Sequence, residues 1–198
     1  MKTFLISVLF FVIYVSGLEL CSDELEPRED YCAKTQSYNK QQNPDFPNPT
    51  TVHLEIIIRE IVNVDVENHL VEFIAYSNIW WTDPRVDIKS ISKDDGQTAR
   101  PTDQELNELW LTDVNYANAI HIAKRFKYHT ATKDKDTGLL NIKLTMLYRI
   151  QVTCEMDFST FPFDSHTCFW KFRSHYENIG NVSLFTNNVN NDNLKLFF

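Results

Sequence analysis

The sequence predicts an all-β fold, an antiparallel immunoglobulin-like β-sandwich, on three observations. Runs of alternating apolar and polar residues recur seven or eight times, with turn residues between them. No long stretch keeps the 3.6-residue period of a helix, and the 198 residues contain only four glycines. Aromatic residues make up 13% of the chain, which is enough bulk for one sizeable core.

Lys2, the apolar run from Phe4 to Val15 and the small residues Ser16 and Gly17 have the layout of a secretory signal peptide over residues 1–17. The run falls short of the roughly 20 apolar residues that a membrane helix needs. Residues 18–49 form a polar segment with prolines at 27, 44, 47 and 49, in which only Tyr31 to Gln42 has the composition for a short helix. The organised domain is expected over residues 50–198.

Val52, Leu54, Ile56 and Ile58 alternate with polar neighbours, the pattern of a half-buried strand. The turn Asn63 to Asn68 leads into a second β run, His69 to Trp81. Thr82 to Gln104 reads as short strands and loops, with Asp94-Asp95-Gly96 as a turn. Strand character returns at His121 to Thr130, Lys133 to Gly138 turns the chain, and Leu140 to Val152 alternates as one long strand. Phe169 to Ser174 and Asn181 to Phe185 are the remaining strands, and Asn187 to Asn193 is a solvated loop.

Export places the four cysteines in an oxidising compartment, where an even number reads as two bridges, and four cysteines allow three pairings. Zinc ligand types occur at Cys154, His166 and Cys168, but paired short cysteine spacings are missing, so no metal and no cofactor are expected. A net charge of −8 disfavours nucleic-acid partners and favours cationic ligands in a general way. Asn181-Val182-Ser183 is an N-glycosylation acceptor. The sequence has no Gly-x-Ser-x-Gly elbow, no His-Glu-x-x-His and no phosphate-cradling glycine loop, so an enzyme is not expected.

Cys154 and Cys168 enclose the run Phe161-Pro162-Phe163-Asp164. Pro162 fixes its own φ and pushes Phe161 toward an extended conformation, while Met156, Phe158, Phe161 and Phe163 are too much apolar surface for an idle loop. This stretch resembles the signature loop of the Cys-loop receptors, the pentameric neurotransmitter-gated ion channels. Two further elements extend the resemblance from about Pro49 onward. Trp81-Thr82-Asp83-Pro84-Arg85-Val86 resembles the family's Trp-x-Asp-x-Arg-aliphatic element, and Trp110-Leu111-Thr112-Asp113 its Trp-x-Pro-Asp element, with Thr112 where proline is usual.

The resemblance implies a bridge between Cys154 and Cys168, which leaves Cys21 to pair with Cys32. A loop of about fifteen residues closed in this way removes roughly 3 kcal/mol of denatured-chain entropy. It implies the extracellular ligand-binding domain of a channel subunit that assembles with like or unlike subunits into a pentamer. A small transmitter, amine or amino acid, would bind in an aromatic box between subunits, and Phe161 to Asp164 would couple binding to a membrane domain. Tyr76 falls at the aromatic position of the complementary face. Ala117 stands where acetylcholine-type receptors place a tyrosine, with Tyr116 as the nearest aromatic, and Asn118 matches a frequent family asparagine. His175 stands where nicotinic receptors have tryptophan, with Tyr176 beside it. Family members continue into a lid, further strands and four membrane helices, so the fold is expected to be incomplete at its C-terminal end. Localisation follows: the extracellular face of the plasma membrane within a full receptor, or secretion if the chain ends at Phe198. The alternative function is a secreted, pore-less binding protein or assembly modulator similar to the acetylcholine-binding proteins.

Overall fold

The computed structural model describes residues 18–21, 31–89, 97–112, 114–159, 166–174, 182–186 and 193–197. In chain order the elements are β1 (Tyr31–Ala33), β2 (Thr50–Asp65), β3 (Leu70–Asp83), β4 (Val86–Ile88), β5 (Thr98–Ala99), α1 (Asp103–Leu106), β6 (Val114–Tyr116), β7 (Ala119–Lys133), β8 (Leu140–Thr153), β9 (Thr167–Ser174), β10 (Val182–Thr186) and β11 (Asn193–Phe197). A six-stranded sheet in the order β10-β2-β3-β8-β7-β5 faces a three-stranded sheet β11-β9-β6, and β1 pairs with β4 in a small third sheet. This is the expected all-β sandwich. Among the described residues, all strand pairings are antiparallel except β10 with β2, which runs parallel, and an isolated parallel bridge joins Leu20 to Ala33.

The period-2 pattern explains the packing. β3 and β8 pair without a register shift from Leu70↔Thr153 to Asp83↔Leu140, so Val71, Phe73, Ile79 and Trp81 share one face with Ile142, Ile150 and Val152. β9 lays Trp170 and Phe172 onto that face, with the Trp170 ring edge-on to Phe73 at 5.1 Å. Full burial of side chains of this size contributes roughly 1.5–3 kcal/mol each. At the β7–β8 hairpin, Asp134 accepts hydrogen bonds from the Asp136 and Thr137 backbone N–H groups at 3.1 and 2.7 Å, and Gly138 takes the positive φ of 68° that closes the turn.

The short helix expected within Tyr31 to Gln42 does not form. Tyr31, Cys32 and Ala33 pair instead with Ile88, Asp87 and Val86, and all three are buried. Tertiary pairing overrides a weak local helix propensity here, and turns and bends occupy most of the stretch up to Gln42. A short helix forms at Asp103–Leu106, starting within the end of the Thr82 to Gln104 stretch expected to hold short strands and loops. Its capping box joins the Thr102 hydroxyl to the Glu105 N–H and the Glu105 carboxylate to the Thr102 N–H. Most of the Asn187 to Asn193 tract lies outside the described residues, but Asn193 opens β11.

His129 on β7 is 3% exposed and stacks on Tyr31 at 6.1 Å. Burial, reinforced by Lys127 and opposed by Asp103, holds its pKa below the ordinary value near 6.5. The unfolded chain therefore takes up this proton first, so the contribution is present above about pH 6.5 and is lost as pH falls below it. Urea midpoints measured from pH 7 to 5 should fall, and His129→Phe should flatten that slope.

Candidate functional site

The outward face of the six-stranded sheet carries the first candidate region. Tyr76 on β3 lies opposite Ile57 on β2 and Leu147 on β8, half-buried. The β2 ladder shifts register between Ile58 and Glu60, which leaves Arg59 as the extra residue of a bulge. The bulge aims the Arg59 guanidinium over the Tyr76 ring, 5.5 Å from its centroid, and Arg59 Nη1 donates to the Tyr76 hydroxyl at 3.5 Å. Four residues along the strand, Trp80 stacks on His53 at 5.2 Å and receives Lys143 Nζ at 5.8 Å from the ring centre. This face therefore already seats cations against aromatic rings. The sequence alone did not single out Arg59; only the hairpin register brings it to Tyr76.

The tryptophan motifs lock the scaffold behind this face. Asp83 is fully buried, and Arg85 donates to both its carboxylate oxygens, at 2.9 and 2.8 Å. Arg85 Nη1 also donates to the Gln42 carbonyl at 2.7 Å, and the guanidinium lies 4.9 Å from the Tyr38 ring centre. The Trp110 N–H donates to the Tyr38 hydroxyl at 2.8 Å, while the Trp110 and Trp81 rings meet edge-on at 6.0 Å. Burial pushes the Tyr38 phenol up to about 12, so it stays neutral across the physiological range.

Tyr116 and Asn118 sit at the junction of the two sheets. Tyr116 is 6% exposed, and its ring packs against Tyr148 at 5.4 Å and Trp170 at 5.2 Å. Asn118 acts as a clamp. Its Nδ2 donates to the carbonyls of Thr153 and Phe169 at 3.3 and 2.6 Å, and its Oδ1 accepts from the Lys171 N–H at 2.8 Å. The structure does not bring these two residues beside Tyr76, which occupies the opposite face of the sheet from the core.

The second candidate region is the end of the sandwich. Cys154 is joined to Cys168 and Cys21 to Cys32, with Cα–Cα separations of 5.0 Å in each pair. The Cys154 N–H donates to the His69 carbonyl at 2.8 Å, so the β2–β3 turn rests on the start of the disulfide loop. Phe158, 37% exposed, has His166 edge-on at 4.7 Å and His69 at 6.4 Å. Asp157 accepts from the Ser159 N–H at 2.9 Å, which lowers its pKa. An open pocket of about 710 Å3 lies between His69, Asn118, Met156 and Phe169. Tyr76 and Leu70, at the end of β3 beside this pocket, are separated by about 20 Å of strand.

Phe161, Pro162, Phe163, Asp164, His175, Tyr176, Asn181 and the signal segment lie outside the described residues. Among the described residues, no group of three or more His, Cys, Asp or Glu side chains is placed to hold a metal ion. No described helix is long and apolar enough to cross a membrane.

Residues 30–196 match the neurotransmitter-gated ion-channel ligand binding domain family. The chain is 28% identical over 76% of its length to the acetylcholine receptor subunit alpha-type acr-16 of Caenorhabditis elegans, covering 30% of that protein. It is 31% identical over 69% of its length to the human neuronal acetylcholine receptor subunit alpha-6, covering 27%. A third relative, the neuronal acetylcholine receptor subunit eat-2 of Caenorhabditis briggsae, is 21% identical over 86% of the chain and 34% of its own length. The chain thus spans about a third of the length of these relatives.

Proposed function

The chain belongs to the neurotransmitter-gated ion-channel ligand binding domain family, and from that premise we propose that it binds a small cationic transmitter between adjacent subunits of a receptor pentamer. Tyr76 supplies the complementary wall of the site. Residues that follow β9, His175 and Tyr176, supply the principal wall from the neighbouring subunit. The disulfide loop, with Phe161 to Asp164, passes the binding event to a membrane domain. Two disulfides and the glycosylation acceptor Asn181 suit the extracellular face of the plasma membrane, reached through the secretory pathway.

The observation that carries this reading is the Arg59 guanidinium held 5.5 Å over Tyr76. A ring that holds an internal cation at that distance presents the quadrupole a ligand ammonium needs. Arg59 also competes for the ring and repels a second cation. The two side chains therefore have opposite expected effects.

Titration of the chain, assembled as a pentamer by size measurement, with acetylcholine and with a primary amine of similar size, read by quenching of aromatic fluorescence, tests the proposal. Tyr76→Ala is expected to weaken binding about fivefold, the worth of one cation–π contact. Arg59→Ala is expected to tighten it. Failure of either amine to saturate a site, or indifference to Tyr76→Ala in a folded variant, would refute the assignment.

A further inference from the structure

We infer that the sandwich holds a second binding groove, on the core side of the sheet, for a single-chain amphiphile that ends in a carboxylate. The groove measures about 870 Å3 and opens between Leu111, Thr112 and the β6 residues Val114 to Tyr116 on one side and the β7–β8 pair on the other. Its floor is apolar: Ile79 of β3 and Leu144, Met146 and Tyr148 of β8 are each under 9% exposed in the core. Ile122 of β7 forms an exposed apolar wall at 39%.

Its cations come from a strand irregularity. Residues three apart on a regular strand point to opposite faces. β7 shifts register between Lys124 and Phe126, leaving Arg125 as the extra residue, so that Lys124 pairs with Tyr148 and Lys127 with Met146. Tyr148 and Met146 both face the core, and the bulge thereby turns both lysines onto the same groove. Lys127 Nζ reaches Asp103 only at 3.9 Å, against a carboxylate that is 68% exposed, and Lys124 has no ion pair among the described residues.

A third donor points the same way. The Thr112 side chain lines the groove, is 5% exposed, and its Oγ1 has no hydrogen-bond partner among the described residues. A buried hydroxyl without a partner is costly, and a bound acceptor would remove that cost. Two ammonium groups and a hydroxyl beside an apolar floor match a carboxylate with an alkyl tail. The net charge of −8 gives no long-range attraction for an anion, so these local groups carry the selectivity. Tyr116 lines this groove, not the Tyr76 face. The proposal does not depend on the transmitter reading, because Tyr76 and Ile79 lie on opposite faces of β3.

Calorimetric titration of the full chain with decanoate, 1-decanol and decylammonium, each below its micelle concentration, tests the groove. Decanoate is expected to saturate one site, and Lys124→Met with Lys127→Met should weaken it at least about tenfold, the loss of one charge-assisted contact or more. 1-Decanol should bind more weakly than decanoate, and decylammonium not measurably. No saturation by decanoate, undiminished binding in the folded double variant, or equal binding of decylammonium each overturns the proposal. If the double variant does not fold, Ile122→Asp places a carboxylate on an exposed wall and should cause the same loss; unchanged decanoate binding in that variant is equally decisive against it.

Discussion

Asp83→Ala should destabilise the chain by about 3 kcal/mol, at the lower end of the 3–5 kcal/mol found when one partner of a buried ion pair is removed. The lower end applies because the Arg85 side chain keeps 19% of its surface exposed, whereas Asp83 keeps none. Without the carboxylate, a largely desolvated guanidinium retains only the carbonyls of Gln42 and Asn39 and the Tyr38 ring. The damage should spread through that ring. Tyr38 holds the Trp110 N–H at 2.8 Å, so Asp83→Ala and Tyr38→Phe act on one network and their costs should not add. Asp83→Asn keeps the shape and loses the charge, and should cost about 1.5–3 kcal/mol. Arg85→Lys should also be costly, because an ammonium cannot contact both carboxylate oxygens as a planar fork does. Urea unfolding of the four variants measures this, and a loss under about 1 kcal/mol for Asp83→Ala would mean that the pair behaves like a solvent-screened surface bridge.

The same network shows where the sequence was readable. The long strands were legible because alternation in Val52 to Ile58 and Leu140 to Val152 is a local property, and one apolar face per strand follows directly from it. Tyr31–Ala33 was not, since what makes it a strand is β4, some fifty residues on, together with the bond from Cys32 to Cys21. The Thr102-x-x-Glu105 capping box is a local signal that marks the start of the short helix at Asp103. The parallel seat of β10 on β2 had no local signal at all.

The candidate site divides in the same way. Tyr76 was legible through its spacing to Trp81, but Arg59 depends on a bulge that no composition encodes. Resemblance makes Asn118 a ligand-site candidate, and its place in the structure is a three-bond clamp between β8 and β9. A polar side chain with three of its four hydrogen-bonding positions, both donors included, spent on backbone groups has little left to offer a ligand. The sequence motif marks such a position without saying whether its hydrogen bonds point inward or outward.

Replacing both Cys154 and Cys168 by alanine should cost about 3 kcal/mol, from the loop-closure entropy returned to the unfolded chain by a bridge with a sequence separation of 14. Asn118→Ala, which takes three hydrogen bonds from the same junction, should cost about 1–2 kcal/mol. The two losses arise in different states. The bridge acts on the denatured chain, whereas the Asn118 clamp acts on the folded one and holds Thr153 against Phe169 without help from sulfur. The double-mutant cycle should therefore close to within about 0.5 kcal/mol. A coupling clearly above that value would show that the bridge also holds the native junction in place. The amine affinity proposed for the Tyr76 face provides an independent reading. Tyr76 lies about 20 Å of strand from the disulfide end, and its partners Ile57, Leu147 and Arg59 belong to β2 and β8, so removal of the bridge should leave that affinity unchanged. Loss of affinity in a still-folded disulfide variant would mean that the two ends of β3 respond as one rigid unit, with the bridge setting the geometry of the Tyr76 face as well as the stability of the fold.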